Sequence, residues 1–435
     1  MRIRLYNAQI LTMLDGNEIS RGEVWVNGDR IEKLVIGTDR EAISKDGADI
    51  CKFDLEYDCH DNLLMPGFKN AHTHSGMTFL RSFADDVPLA TWLNEKVFPM
   101  EAKLEEGDVY ELVKLAILEY LTSGVTSIFD MYVKPDETAN ACMDLGMRCV
   151  LTSGLNNFVS SVETQESEYL KYNSINPLIS YQMGFHAEYT TSENILRDLS
   201  ELAHKYKAPV YAHLHETKSE VEVCIDRYGA RPLKFLNSIG MFDFGGGGYH
   251  LVHMDEEDFD IVKGRKMYVV TNPASNLKLA SGIAPVAEYM RRDIPLAIGT
   301  DGPASNNCLD MFREMYLVAA LSKVRENDAA STDAFEVLKM ATVTGAKAMH
   351  IDADGMAAGK LADIILIDLN QPNMQPITNV AKNIVYSGSK SNVLMTMVGG
   401  KILYDRGTFK LSEDSNFIYE KCQKIANRIL HNKLP

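Results

Sequence analysis

The feature that most constrains the fold is a repeated alternation of short apolar segments with amphipathic helical segments, which runs from Leu63 to about His350. The apolar segments are rich in β-branched residues, whereas the segments between them have helical periodicity. Eight strands that alternate with helices predict a parallel (β/α)8 barrel of the TIM type. The predicted strands are Leu63–Met65, Thr126–Phe129, Arg148–Thr152, Leu178–Gly184, Pro209–His213, Tyr249–Val252, Met267–Thr271 and Pro295–Gly299.

The two ends of the chain have short strands and glycine turns instead of this alternation. Strands are predicted at Ile3–Leu5, Glu23–Val26, Arg30–Leu34, Gly359–Asp368, Asn392–Val398 and Lys401–Tyr404. We predict that residues 1–65 and 353–435 form one flanking β-sandwich, that residues 66–352 form a metal-dependent barrel, and that Asn416–His431 is a terminal helix.

Net charge, the N-terminal segment and the cysteine spacing predict which partners and which cellular environment suit the chain. The net charge of -16 argues against nucleic acid and anionic membranes, since both favour basic surfaces. The segment Met1–Tyr6 alternates like a strand, so neither a signal peptide nor a transmembrane span is expected there. The seven cysteines are scattered and never spaced C-x-x-C, which predicts reduced thiols in a cytoplasmic protein.

A pair of histidines stands directly after the first predicted strand. His72 and His74 lie in the segment Pro66–His74 and are two residues apart, so on a strand they share one face. Their side chains would be about 7 Å apart along the strand, close enough to bind one metal ion together. Two histidines in a polar loop are the alternative, and this pair alone does not decide between the two.

Further reactive side chains also follow predicted strands. The set comprises His186 after the fourth strand, His213 and Glu216 after the fifth, His250 at the sixth and Asp301 after the eighth. In a (β/α)8 barrel the carboxyl ends of the strands form the face that holds the active site. Five of the eleven histidines therefore fall on this predicted face, more often than structural histidines would be expected to do.

The segment around the fifth and sixth strands contains further histidines and glycines. By strand alternation His215 shares a face with His213 but lies farther out, so it is predicted to lie behind it. His253 lies three residues beyond His250 and is predicted to leave the strand. Gly245–Gly248 is predicted to be a loose loop before the sixth strand.

These motifs together resemble the amidohydrolase superfamily, and within it the branch of metal-dependent deaminases and chlorohydrolases. The resemblance extends over nearly the whole chain, and the metal motifs are more specific to the superfamily than to a substrate. The segments that carry it are Pro66–His74, His213–Glu216, His250–His253, Thr271–Asn276 and Gly299–Gly302.

The resemblance implies a metal site with four protein ligands. These fall on His72, His74, His213 and Asp301, which would hold one divalent ion, zinc in the first place and iron or manganese as alternatives. A superfamily site with two metals would need a lysine after the fourth strand. His186 stands there instead, which favours a single ion.

The resemblance also implies catalytic roles around this metal. Asp301 would take the proton of the attacking water, Glu216 would pass a proton to the ring nitrogen under attack, and His250 would orient the hydroxide. The structural alternatives are a salt-bridged carboxylate and a buried, hydrogen-bonded histidine.

Five positions are implied to contact the substrate, and one of them is Glu216. Glu101 matches a position that binds ribose hydroxyls, although a carboxylate at a helix N-terminus is also stabilised by the helix dipole. Arg148 matches a position near an amino-acid tail, with a surface arginine at the start of a strand as the alternative. His186 matches a residue that hydrogen-bonds the purine, and Ser305 is expected to line the same pocket.

The predicted reaction is the hydrolytic deamination of an adenosine-type nucleoside, namely 5'-methylthioadenosine, S-adenosylhomocysteine or adenosine, to the inosine analogue and ammonia. The alternative is a guanine or other aminopurine deaminase, or a triazine-type chlorohydrolase, on the same scaffold. A binding protein that has lost catalysis would be expected to lack ligands, and this chain keeps all four. The expected partners are a small-molecule substrate and further copies of the chain, without nucleic acid or membrane.

Overall fold

The barrel consists of eight parallel strands that follow one another around the sheet in chain order. The computed structural model describes residues 1–14, 18–37 and 52–431. Barrel strands 1 to 8 are Phe68–Thr73, Val125–Met131, Arg148–Thr152, Ile179–Ala187, Val210–Leu214, Gly246–His250, Tyr268–Thr271 and Leu296–Ile298. The predicted (β/α)8 class is confirmed, with most strand boundaries shifted by one to three residues.

The segment that was predicted to be the first barrel strand belongs to the second sheet, so this prediction is wrong. Leu63–Pro66 pairs with Arg2–Ile10 and with Ile364–Ile367, so it belongs to the second sheet. Gly67 separates it from barrel strand 1, Phe68–Thr73. Both segments are fully buried, and an apolar run that is buried on both faces does not reveal which sheet it joins.

The predicted loop at Gly245–Gly248 is also wrong, because Gly246–His250 forms barrel strand 6. A Cβ at Gly246 would lie 2.0 Å from the carbonyl oxygen of Val210 on strand 5. A Cβ at Gly247 would lie 2.7 Å from the ring of Tyr211. The glycines therefore allow a close approach of strands inside the barrel, a role that glycine also has in regular strands.

Side-chain hydrogen bonds help to close the barrel between its first and last strands. Asn70 on strand 1 accepts from the backbone N–H of Thr300 (2.9 Å) and donates to its hydroxyl (2.7 Å). The backbone N–H of Asp301 donates to the carbonyl of His72 at 3.0 Å. Closure therefore brings Asp301 next to the histidines of strand 1.

A second sheet of nine strands combines both ends of the chain. Its strands are Arg2–Ile10, Ser20–Asn27, Arg30–Ile36, Leu55–Asp58, Leu63–Pro66, Ile364–Ile367, Val393–Val398, Lys401–Asp405 and Thr408–Phe409. An apolar core of its own contains Ile3, Leu5, Val24, Val26, Leu64, Ile364, Leu366, Met395 and Met397. The prediction that the two ends form one flanking β unit is therefore confirmed.

Helices surround the barrel and bury one face each. Glu193–Tyr206, for example, buries Leu196, Leu199 and Ala203, which have the spacing of an amphipathic helix. The helices of six or more residues are Asp108–Thr122, Pro135–Leu145, Val162–Tyr172, Glu193–Tyr206, Lys218–Tyr228, Pro232–Ser238, Glu256–Gly264, Pro273–Lys278, Val286–Arg291, Met311–Glu326, Ala334–Lys339 and Ser415–His431, together with the 3-10 helix Ser75–Leu80 and the π-helix Trp92–Val97. Shorter helical turns are Leu89–Thr91, Phe98–Glu101, Glu188–Thr190, Met340–Thr344, Gly345–Ala348, Pro372–Met374, Val380–Lys382, Asn383–Ser387 and Lys390–Asn392.

Two further predictions concern reduced cysteines and the lack of a membrane-spanning segment. Six cysteines are free in the structure, and Cys51 lies outside the described residues. Within residues 1–14, 18–37 and 52–431, no helix has the length and apolar character needed to cross a lipid bilayer.

Candidate active site and metal centre

The carboxyl ends of barrel strands 1, 5 and 6 and the segment after strand 8 bring four histidines and one aspartate together. His74 Nε2 lies 3.1 Å from Asp301 Oδ1, and His72 Nε2 lies 3.5 Å from the same oxygen. The ligand atoms of His72, His213 and His250 lie within 4.8 Å of one another, and so do those of His72, His74 and Asp301. His72 belongs to both groups, so the five side chains surround one position.

His72 provides the test of whether these residues fit a metal. Its side chain is fully buried, and neither ring nitrogen has a hydrogen-bond partner. Its ring is stacked on that of Tyr249, with centroids 3.7 Å apart and an angle of 18° between the planes. A buried polar atom without a partner is costly, and a divalent ion satisfies an imidazole nitrogen. The donor set of imidazoles and one carboxylate therefore fits a divalent metal of the zinc type.

Backbone carbonyls and an amide orient the other rings toward the same position. His213 Nδ1 donates to the carbonyl of His186 at 2.7 Å, and His74 Nδ1 donates to the carbonyl of Met131. His250 Nδ1 donates to Asn276 Oδ1 at 2.7 Å. Each bond leaves Nε2 of the histidine free to face the cluster, which is the usual arrangement around a protein-bound metal.

The electrostatics of the cluster also suit a cation. Burial lowers the pKa of His72 to about 3 and that of His213 well below its ordinary value, so both rings are neutral ligands at pH 7. Burial also acts to lower the pKa of His74, but the hydrogen bond and negative charge of Asp301 outweigh it and raise that pKa to about 9. Burial acts to raise the pKa of Asp301, but the neighbouring His72 and His74 side chains outweigh it and hold that pKa well below its usual range. The site therefore stabilises positive charge next to Asp301.

Two serines and a backbone amide fix the Asp301 carboxylate. Ser275 and Ser305 donate to Oδ2 at 2.6 and 2.9 Å, and the N–H of Gly302 donates to Oδ1 at 2.8 Å. Asp301 has a φ of +59°, a conformation that non-glycine residues adopt at a cost and that is concentrated at functional sites. The structure thus places Ser305 behind the aspartate and not on the cavity wall, where the sequence-based expectation had it.

Glu216 lies in the loop after strand 5 and faces the cluster. Ser281 Oγ donates to Glu216 Oε1 at 2.9 Å, and His250 Nε2 lies 3.8 Å from Oε2. The buried carboxylate of Glu220 accepts one hydrogen bond each from the backbone N–H groups of His215 and Glu216, both at 2.8 Å. Glu220 therefore determines the path of the loop that carries Glu216.

Replacing Glu220 by glutamine is expected to lower kcat about tenfold with unchanged metal content. The variant keeps the side-chain shape but removes one acceptor, and a buried N–H without a partner costs about 1–3 kcal/mol. Glu222→Gln, at an exposed position of the same helix Lys218–Tyr228, is the matched control and should behave as wild type. Equal kcat values for both variants would show that Glu220 does not position Glu216.

A cavity of about 330 Å³ opens onto the cluster, a volume at the lower end of the range for small-molecule sites. Of the predicted substrate-binding residues, Glu101, His186 and Glu216 line it. Glu101 Oε1 is buried without a hydrogen-bond partner, and burial raises the pKa of this carboxyl. His186 Nδ1 is hydrogen-bonded to the hydroxyl of Thr190 at 2.9 Å, which leaves Nε2 available.

The structure does not bring Arg148 to this cavity. Arg148 begins barrel strand 3, at the end of the barrel opposite the metal cluster. Its Nε and Nη2 donate to the two carboxylate oxygens of the buried Asp363 at 2.7 and 3.1 Å. Arg148 therefore joins the barrel to the nine-stranded sheet, and we assign it no contact with substrate.

His215 also turns away from the site, against the expectation from strand alternation. Its φ of +54° ends the regular strand geometry after His213. Its Nε2 accepts from the backbone N–H of Leu233 at 3.1 Å, and its Nδ1 lies 3.1 Å from the carbonyl of His253. His215 therefore fastens neighbouring loops and does not face the metal position.

Several residues of the site were missed from the sequence. Asn276 orients His250, Ser275 and Ser281 donate to the carboxylates of Asp301 and Glu216, and the ring of Tyr249 stacks on that of His72. Two of them lie in the motif Thr271–Asn276, whose resemblance to the superfamily was the available signal. The contacts of Asn276, Ser275, Ser281 and Tyr249 cannot be predicted from their spacing in the sequence.

Comparison with known proteins identifies the family of this chain. Residues 63–403 match the amidohydrolase family. This chain belongs to the amidohydrolase family. Its metal-binding motifs and barrel are those expected of an amidohydrolase, and the resemblance inferred from the sequence is confirmed.

Full-length relatives of this amidohydrolase are deaminases. A 5-methylthioadenosine/S-adenosylhomocysteine deaminase of Caldanaerobacter subterraneus is 36% identical, with all of both chains covered. A 5'-deoxyadenosine deaminase of Methanosarcina acetivorans is 35% identical over 96% of both chains. The crystal structure of an adenosine deaminase from Xanthomonas campestris with bound zinc superposes with a TM-score of 0.90, at 30% identity over 98% of both chains. The chain is thus a metal-dependent hydrolase that acts on carbon–nitrogen bonds.

Proposed function

We propose that this amidohydrolase deaminates adenosine-type nucleosides, a class that includes 5'-methylthioadenosine, S-adenosylhomocysteine and adenosine, to the inosine analogue and ammonia. One observation carries the proposal. A cavity of nucleoside size joins the cluster of four histidines and Asp301 to two carboxylates, Glu216 and Glu101, and Oε1 of Glu101 has no hydrogen-bond partner. The names of the full-length relatives support the same class of reaction.

We propose a single zinc ion as the cofactor, with iron or manganese as alternatives. His72, His74, His213 and Asp301 would hold it, and His250 lies beside them. A divalent ion of this kind supplies Lewis acidity, which lowers the pKa of a water from about 16 to about 7 and makes hydroxide available at neutral pH.

The protein side chains then divide the proton transfers between them. Asp301, kept ionised by its histidine neighbours, accepts a proton from the attacking water and later delivers it to the leaving amino group. Glu216 donates a proton to the ring nitrogen next to the attacked carbon, which stabilises the tetrahedral adduct. His250, fixed by Asn276, orients the attacking oxygen. His186 lines the same cavity and can hydrogen-bond the purine through its free Nε2.

Ammonia release from a panel of substrates tests the proposed function. The panel contains adenosine, 5'-methylthioadenosine, 5'-deoxyadenosine, guanine and a chlorinated triazine, the last two representing the alternative reactions on this scaffold. We expect the highest kcat/KM on an adenosine compound. A higher value on guanine, or chloride release from the triazine with no turnover of nucleosides, would overturn the proposal.

Replacing Glu101 by glutamine tests the ribose contact. A hydrogen bond to a charged group contributes about 1.5–3 kcal/mol, so kcat/KM on 5'-methylthioadenosine is expected to fall about 10- to 100-fold. A 2',3'-dideoxyadenosine substrate offers no hydroxyl groups to Glu101 and serves as the internal control. If both substrates lose the same factor, Glu101 acts on the fold or the metal site and not on the ribose.

A further inference from the structure

Most of the charged side chains that line the active-site cavity are carboxylates. Among the described residues that line it, Lys134 is the only lysine or arginine. Four carboxylates line the same cavity: Glu101, Glu168, Glu216 and Asp301. Away from the metal position, one lysine against four carboxylates offers little attraction to a negatively charged part of a substrate.

Lys134 itself is already occupied. Its ammonium donates to the carbonyl oxygen of Glu105, lies 3.4 Å from that of Leu104 and lies 3.6 Å from Glu137 Oε1. Two backbone carbonyls therefore accept from the ammonium, and the nearby Glu137 carboxylate balances its charge. A substrate carboxylate would have to displace them before Lys134 could bind it.

The part of the wall that follows barrel strands 1, 2 and 3 is largely apolar. The segments 89–98, 131–135 and 153–164 supply it, whereas His213 and His250 lie on strands 5 and 6 and Asp301 follows strand 8. The same segments also contribute polar residues, among them Ser153, Ser160 and Thr164. The amide of Asn156 is engaged, since its side chain accepts from the N–H groups of Phe158 and Val159 and donates to a backbone carbonyl. The apolar side chains of this wall are Leu89, Trp92, Leu93, Phe98, Met131, Val133, Pro135 and Val159.

We propose that this apolar wall receives the 5' substituent of the nucleoside and selects substituents that carry no carboxylate. This inference rests on the proposed function and restricts the range of nucleosides that the enzyme accepts. Methylthio and other uncharged 5' groups gain from apolar contact. The homocysteine tail would bring both an ammonium and a carboxylate against apolar side chains, and the carboxylate would lose water without gaining a free cation. The enzyme therefore prefers 5'-methylthioadenosine and 5'-deoxyadenosine to S-adenosylhomocysteine.

Comparison of three thioethers separates charge from size. The substrates are 5'-methylthioadenosine, 5'-butylthioadenosine with a longer uncharged tail, and S-adenosylhomocysteine. Because no free lysine or arginine among the described residues of the cavity can bind the homocysteine carboxylate, kcat/KM on S-adenosylhomocysteine is expected to be about 10- to 100-fold below that on 5'-methylthioadenosine. The butylthio compound is expected to stay within about fivefold of the methylthio compound, since its extra methylene groups bury apolar surface.

A Lys134→Met variant provides the second test. Because the ammonium is held by Glu105, Leu104 and Glu137, its removal is expected to leave the ratio of kcat/KM values for the two natural thioethers unchanged, whatever happens to their absolute size. A selective loss on S-adenosylhomocysteine would show that Lys134 binds the tail and would overturn the inference.

The remaining outcomes are also decisive. Equal kcat/KM values on S-adenosylhomocysteine and 5'-methylthioadenosine would overturn the inference and leave the proposed function intact. A butylthio compound as poor as S-adenosylhomocysteine would assign the selection to size and would overturn it as well. No turnover of any adenosine compound by the metal-loaded enzyme would instead refute the proposed function, and the inference with it.

Discussion

Replacing Glu216 by glutamine is expected to lower kcat by about 10²- to 10⁴-fold, the range typical of a lost general acid–base group. Glutamine keeps the hydrogen bond that Ser281 donates to Oε1, so the loop should retain its conformation. It carries no ionisable proton, however, and so cannot protonate the ring nitrogen. Steady-state kinetics together with metal analysis would check the prediction, since metal content should equal that of the wild type.

A graded control accompanies this variant. Ser281→Ala removes only the hydrogen bond to Glu216 and is expected to reduce kcat about tenfold, consistent with a net bond energy of about 1.5 kcal/mol. Near-normal turnover in Glu216→Gln would remove this residue from the mechanism. Loss of the metal in the same variant would assign it a structural role at the metal site.

Replacing His213 by alanine is expected to remove metal and activity together, with a loss larger than that of Glu216→Gln. His213 contributes a neutral imidazole whose Nδ1 is held by the His186 carbonyl, so its Nε2 is already directed at the cluster. Without the ion, the water would keep a pKa of about 16 and little hydroxide would form at pH 7. Metal analysis is expected to find one equivalent per chain in the wild type and much less in the variant.

A surface histidine supplies the matched control. His204 lies on the helix Glu193–Tyr206, pairs with Asp243 at 3.0 Å and is 43% exposed. His204→Ala should therefore retain full metal content and activity. Two equivalents of metal in the wild type, or full activity of His213→Ala after chelation, would contradict a single catalytic ion held by this ligand set.

The sequence was most informative where chemistry and strand periodicity coincide. His72, His74, His213, His250 and Asp301 all follow predicted strands, and the carboxyl ends of parallel barrel strands necessarily share one face. Their convergence in the structure is a consequence of that geometry. The same reasoning predicted the barrel itself and the flanking unit that the two ends of the chain share.

Short buried segments and glycine runs were not assigned correctly from the sequence. Leu63–Pro66 and Phe68–Thr73 are both buried along their whole length, and only their hydrogen-bonding partners decide which sheet each one joins. Gly246–Gly248 has the composition of a loop but lies in a strand, where backbone and side-chain atoms of neighbouring segments occupy the space that a Cβ would need.

What the sequence alone determined was which residues lie at the carboxyl ends of the strands, because strand order and side-chain alternation are local properties. What only the tertiary structure decided was the partner of each side chain. Arg148 carries the right charge for a substrate carboxylate, but it stands at the amino end of its strand and pairs with Asp363, a residue distant in sequence. Ser275 and Asn276, after strand 7, contact Asp301 and His250 because segments that follow different strands meet above the barrel. Such contacts depend on the packing of the whole chain, and no local pattern encodes them.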